Sequence, residues 1–111
     1  MADTDQQTVE EFHEAVNMSA SVLDDWLKTD ESRGVGQKEG GNAESIGHES
    51  GRSIVRILGK KRGDYTDDDL AQMRRVISYV HRHLAQRPSG DIGATPWRHS
   101  LMNWGHDPQR E

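Results

Sequence analysis

Thr66-Asp67-Asp68-Asp69-Leu70-Ala71-Gln72-Met73-Arg74-Arg75-Val76-Ile77-Ser78-Tyr79-Val80-His81-Arg82-His83-Leu84 decides the fold. A hydroxyl followed three residues later by a carboxylate marks a capped helix start. Leu70, Met73, Val76, Ile77, Val80 and Leu84 then recur at the helical period, and Pro88 and Gly90 stop the run after Gln86. The spacing predicts a long amphipathic helix that acts as the central strut. No segment alternates apolar and polar residues as a half-buried strand would. The chain of 111 residues therefore reads as a single all-α domain, with four main helices and a short C-terminal one.

Upstream, Val9, Phe12 and Val16 form one stripe and predict a first helix from Thr8 to Asn17, leaving residues 1–7 flexible. A second helix carries Val22, Leu23, Trp26 and Leu27, with Ser19 or Ser21 as its cap. The two are expected to form an antiparallel hairpin. Residues 29–50 are rich in glycine and poor in apolar side chains, and read as a long loop. Its repeated Glu-Ser-Gly pattern (Glu31-Ser32-Arg33-Gly34, Glu44-Ser45-Ile46-Gly47, Glu49-Ser50-Gly51) reads as turn chemistry. A third helix is expected from Ser50 to Lys61, burying Ile54, Val55, Ile57 and Leu58. Downstream, Thr95-Pro96 supplies a hydroxyl cap with proline at the first helical position. Trp97, Leu101 and Trp104 share a face there, and Gly105 ends the helix.

Charge is sorted along the chain. Residues 1–32 hold nine acids against one lysine, a net of −8, whereas residues 33–111 carry +3. This asymmetry points to an anionic partner or a self-masking acidic arm. With 32% hydrophobic and 30% charged residues the core must be small. Cysteine is absent, which removes disulfides, thiolate metal sites and thiol nucleophiles. No leader-like segment or membrane-length apolar run is read, so the expected location is the cytoplasm.

Projected at about 100° per residue, the long helix sets Arg75 and Arg82 opposite its apolar side, with Arg74 and His81 on one flank and His83 on the other. Arg52, Arg56, Lys60, Lys61 and Arg62 cluster on the third helix. If the two helices pack side by side, these groups share one anion-binding surface, joined by Arg87 and Arg98. The plain alternative is a solvated helix face. His81 and His83 stand two residues apart, so on a helix their rings diverge, and no metal site is read. His48-Glu49-Ser50-Gly51-Arg52 could hold a phosphate at a helix start, although a simple Ser50 cap explains it better. Gly34-Val35-Gly36 fails the dinucleotide pattern, and Gly47-His48-Glu49-Ser50-Gly51 misplaces the serine of a hydrolase elbow. Asp67, Asp68 and Asp69 serve the helix start. No catalytic residue, cofactor or metal is expected. Trp97 and Trp104 are expected to close the core, against the sharper reading of an exposed platform for bases.

Three runs carry a resemblance: Gly47-His48-Glu49-Ser50-Gly51-Arg52, Tyr79-Val80-His81-Arg82-His83-Leu84-Ala85-Gln86-Arg87-Pro88, and Ser100-Leu101-Met102-Asn103-Trp104-Gly105-His106-Asp107-Pro108. The chain resembles domain of unknown function 3140, a small family of bacteria and fungi. Some relatives are labelled DNA-binding, so the resemblance implies DNA association and no site residues. The resulting expectation is a non-enzymatic nucleic-acid-associated protein, contacting phosphates with Arg52, Arg56, Lys60, Lys61, Arg62, Arg74, Arg75 and Arg82. Its partner would be DNA, engaged without sequence preference, with no membrane and with a homodimer left open. The alternative is a protein-interaction or stress-associated helical module with no nucleic-acid role. The link from Gly59 to Tyr65 is longer than a helix-turn-helix allows.

Overall fold

The computed structural model describes residues 2–34 and 46–110. Among them the structure is all-helical, with no strand: α1 (Ala2–Ala15), α2 (Ala20–Leu27), α3 (Asp30–Gly34), α4 (Ile46–Leu58), α5 (Asp67–Leu84) and α6 (Pro96–Asn103). Single 3-10 turns lie at Arg62–Asp64 and Pro108–Arg110.

The long helix is α5, and it starts as the sequence predicts. Thr66 Oγ1 accepts the Asp69 N–H at 3.1 Å, and Asp69 returns a carboxylate oxygen to the Thr66 N–H at 3.0 Å. Ser19 is the cap of α2 and Thr95 that of α6, with Pro96 at the first helical position. At the end of α6, the Gly105 N–H reaches the Met102 carbonyl and the His106 N–H reaches that of Leu101. That paired closure needs a left-handed residue, and Gly105 sits at φ +83°.

Four expectations are corrected. First, α1 begins at Ala2, so residues 2–7 are helical. Asp5 lies near the positive end of the helix dipole and pairs with Arg74 of α5 at 3.1 Å. Second, α1 and α2 do not form a hairpin: α1 lies along α5 and α2 along α4. The stripe Val9, Phe12 and Val16 joins Met73, Val76, Ile77 and Val80 in one core, which also holds Leu23, Leu27, Ile54 and Ile57. Third, residues 30–34 of the expected loop form α3. Thr29 Oγ1 accepts the Ser32 N–H, and Asp30 and Glu31 occupy the first turn, a short helix start read as turn chemistry. The rest of that expected loop, up to residue 45, lies outside the described residues. Fourth, α4 starts at Ile46, so Ser50 sits inside the helix and is not its cap. This removes both the Ser50 cap and the less favoured phosphate-binding helix start at His48 to Arg52. α4 also ends at Leu58, so Lys60 and Lys61 belong to the link that follows.

Small residues let α6 reach α4. A methyl group at Gly51 would meet the Asn103 carbonyl oxygen at 2.6 Å and Leu27 Cδ2 at 2.6 Å. The buried Asn103 side chain then ties three helices. It accepts the Trp26 indole N–H at 2.7 Å and the Ser32 hydroxyl, and donates to the Ser32 carbonyl at 3.0 Å. Beyond α6, Asp107 takes a two-pronged contact from Arg98 at 3.1 and 3.0 Å. The Asp107 backbone exchanges two hydrogen bonds with the Asn17 side chain. These contacts fix the C-terminal segment over the α1–α2 link.

Candidate nucleic-acid interface

The positive charge on the solvent side of α5 comes from three arginines. Arg74, Arg75 and Arg82 are exposed, and with Ser78, Tyr79 and Trp104 they line an open depression of about 410 Å³. No carboxylate is among these lining residues. Helical spacing explains the grouping: Arg74 and Arg75 precede Ser78 by four and three residues, and Arg82 follows it by four, so all lie on one strip of helix. Arg75 Nε and Nη2 donate to Gln72 Oε1 at 3.0 and 2.6 Å. Gln72 is itself buried and neutral. The guanidinium is thus oriented by a neutral group.

An adjoining depression of about 280 Å³ shares Arg75 and Trp104, and is otherwise lined by Glu49, Ser50, Ser53 and Gln72. Its far end therefore belongs to α4 and carries an acid. Trp104, shared by the two depressions, heads a column of rings. Trp104 stacks on Tyr79 with centroids 4.2 Å apart, Tyr79 on His83 at 5.1 Å, and His83 on Trp97 at 5.8 Å. The Arg87 guanidinium lies 5.6 Å from the Trp97 ring. The Trp97 indole N–H donates to the His83 carbonyl at 2.8 Å, and His83 Nε2 donates to the Trp97 carbonyl at 3.1 Å. Burial lowers the His83 pKa, partly opposed by that carbonyl. Burial also pushes the Tyr79 phenol up, partly offset by a hydrogen bond with Ser100 and by the Arg82 charge.

The three runs that carried the family resemblance meet here. Gly47 lies under Trp104, where a methyl group would stand 3.1 Å from the indole nitrogen, and Trp104 lies on Tyr79. The family model described as Protein of unknown function (DUF3140) matches residues 11–102. The chain belongs to that family. No curated protein and no solved structure matches it significantly.

This DUF3140 chain gathers only part of the basic surface expected of it. α4 packs chiefly on α2 and meets α5 over a short stretch, so the two basic helices do not lie side by side. Arg52 and Arg56 are exposed on α4 but line neither depression. Lys60 is withdrawn: its ammonium sits 2.6 Å from the buried Asp69 carboxylate and holds that group below its ordinary pKa, with help from the Thr66 N–H. Lys61 is exposed on the link, and the Arg62 side chain lies outside the described set. Arg74 is shared with Asp5, both half-exposed, a pairing of modest strength in water.

Trp104 is 8% exposed and already stacked, so it offers no free face to a base. The platform reading is set aside for that ring. Sequence reasoning missed Gln72 and Ser78, although both sit at helical spacing from Arg75 and a projection would have shown them. It expected Trp104 to close the core but did not give Tyr79 as the ring it meets. Among the described residues no cluster is suited to a metal ion, and no helix is long and apolar enough to cross a membrane.

Proposed function

We propose that the protein is a non-enzymatic nucleic-acid-binding protein that holds backbone phosphates with the α5 face of Arg74, Arg75 and Arg82. The observation that carries this reading is the presentation of Arg75 by the neutral Gln72 amide, beside two further arginines and no lining carboxylate. A guanidinium matches phosphate geometry and needs only orientation to do so. The formal net charge of −5 opposes any polyanion, so the local cluster has to prevail over the whole. Binding is therefore weak and non-specific, with a dissociation constant of about 10⁻⁴–10⁻⁶ M. Phosphate contacts position a protein without reading sequence.

The test is a titration of a short random-sequence duplex at about 50 and 200 mM salt. Three phosphate contacts predict a logarithmic salt slope of about −2.7, a roughly 40-fold loss over that range. Arg75→Ala combined with Arg82→Ala leaves about one contact and a roughly three- to fourfold loss. If neither the wild type nor a variant with its α1 acids neutralised binds at low salt, the reading fails. A helical protein-interaction module then takes its place.

A further inference from the structure

Ser78 stands at the centre of the arginine strip. It is exposed on α5 and lines the same depression as Arg74, Arg75 and Arg82. Those arginines sit at i−4, i−3 and i+4, the positions whose side chains meet that of residue i on a helix. Ser78 is also the only serine or threonine in the chain with an arginine three residues before it. Arginine three residues before the serine is a feature by which basophilic serine kinases choose their target. We infer that Ser78 is a phosphorylation site whose phosphate is clasped by Arg74, Arg75 and Arg82, which takes these arginines away from nucleic acid. The regulatory half of this inference rests on the function proposed above; the site and its clasp do not.

The chemistry is ordinary phosphoryl transfer. The Ser78 Oγ attacks the γ-phosphorus of ATP. The new O–P bond forms as the bond to ADP breaks, and the hydroxyl proton passes to the base of the kinase. Because Ser78 lies within α5, the kinase captures the chain while that helix is opened. The product adds about −1.5 to −2 charge and three strong acceptor oxygens at the middle of the strip. Each arginine is available to it. Arg75 Nε and Nη2 are held by Gln72, which leaves Nη1 for a ligand. Arg82 forms no salt bridge with a carboxylate among the described residues. Among the described residues Arg74 is paired with the half-exposed Asp5, a single carboxylate that a dianionic phosphate outcompetes. A phosphate held within the strip excludes a backbone phosphate from the same donors, so modification switches the surface off.

The test treats the folded protein with ATP and a serine kinase that selects arginine at minus three. Intact mass should show one phosphate on the wild type and none on Ser78→Ala. An unmodified wild type overturns the inference. Phosphorus NMR then reads the clasp. The second ionisation of phosphoserine, ordinarily near about pH 6, should fall in the phosphorylated wild type and recover in Arg82→Ala, which keeps the arginine the kinase needs. An ordinary value in the wild type refutes the clasp. Finally, phosphorylation should weaken duplex binding at low salt by at least about tenfold, while kinase-treated and untreated Ser78→Ala bind alike. Unchanged binding by the phosphorylated protein, with the Arg75 and Arg82 double variant still weakened, refutes the switch and leaves the nucleic-acid reading standing. A wild type that is phosphorylated and clasped but never binds duplex upholds the site and retires that reading.

Discussion

Replacing Trp104 with alanine is the sharpest test of how this fold is held. The ring is 8% exposed, stacks on Tyr79 with centroids 4.2 Å apart at 12°, and covers Gly47 of α4. It therefore joins α4, α5 and the end of α6. An aromatic side chain of this kind withdraws about 150–250 Å² from water. At about 25 cal/mol per Å² this corresponds to about 4–6 kcal/mol as an upper bound. Measured truncations of buried Phe and Trp cost about 3–5 kcal/mol, and the lower range is the expected loss for Trp104→Ala. Domains of this size have about 5–15 kcal/mol in total, so the variant should be barely folded at 37 °C. At about 4 °C per kcal/mol the melting temperature should fall by roughly 12–20 °C. Urea unfolding followed by far-UV circular dichroism measures the loss without depending on the fluorescence of the removed ring. Trp104→Phe should recover more than half of it, because a phenyl ring can still stack on Tyr79. A loss below about 1 kcal/mol for the alanine variant would mean that the ring is not a packed part of the core, and would refute the reasoning.

Four further outcomes follow from the geometry. Gly51→Ala should destabilise by about 2 kcal/mol, because a new methyl group at 2.6 Å from the Asn103 backbone outweighs the helix preference of alanine. Gly63→Ala, with nothing within 4 Å, should stay within about 0.5 kcal/mol of the wild type in the same urea titration. Burial lowers the folded-state pKa of His83, so the unfolded chain takes up the proton first as pH falls. The stabilising effect is complete above an unfolded value of about 6.5 and is lost as pH falls through the lower folded value. Urea midpoints measured from pH 7.5 down to 5 should therefore decline less steeply in His83→Gln than in the wild type; parallel slopes would count against the assignment. Neutralising Asp3, Asp5, Glu10, Glu11 and Glu14 to Asn or Gln should tighten duplex binding several-fold at low salt, since Asp5 occupies Arg74. Equal affinities would show that the acidic head does not screen the arginine face.

What could be read from the sequence was whatever a single turn encodes. The reciprocal cap of Thr66 and Asp69, the Thr95-Pro96 start and the left-handed Gly105 each depend on neighbours within about five residues, so they are legible without a fold. The apolar stripes likewise showed which side of each helix is buried, and the projection of α5 placed Arg75 and Arg82 opposite that side with Arg74 on its flank. A stripe does not say what it is buried against. That α1 turns to α5 while α2 turns to α4 was decided only in three dimensions, because several pairings bury the same side chains equally well. The misplaced start of α4 had the same origin. Gly47 reads as a loop residue by propensity, yet it lies in a helix, since close approach of Trp104 repays its helical cost. The site divides in the same way. The arginine strip and its Gln72 partner are local to α5 and visible in the sequence. The withdrawal of Lys60 by Asp69, the sharing of Arg74 with Asp5 and the column from Trp104 to Trp97 come from side chains that meet only after the chain has folded, and composition carries no trace of them.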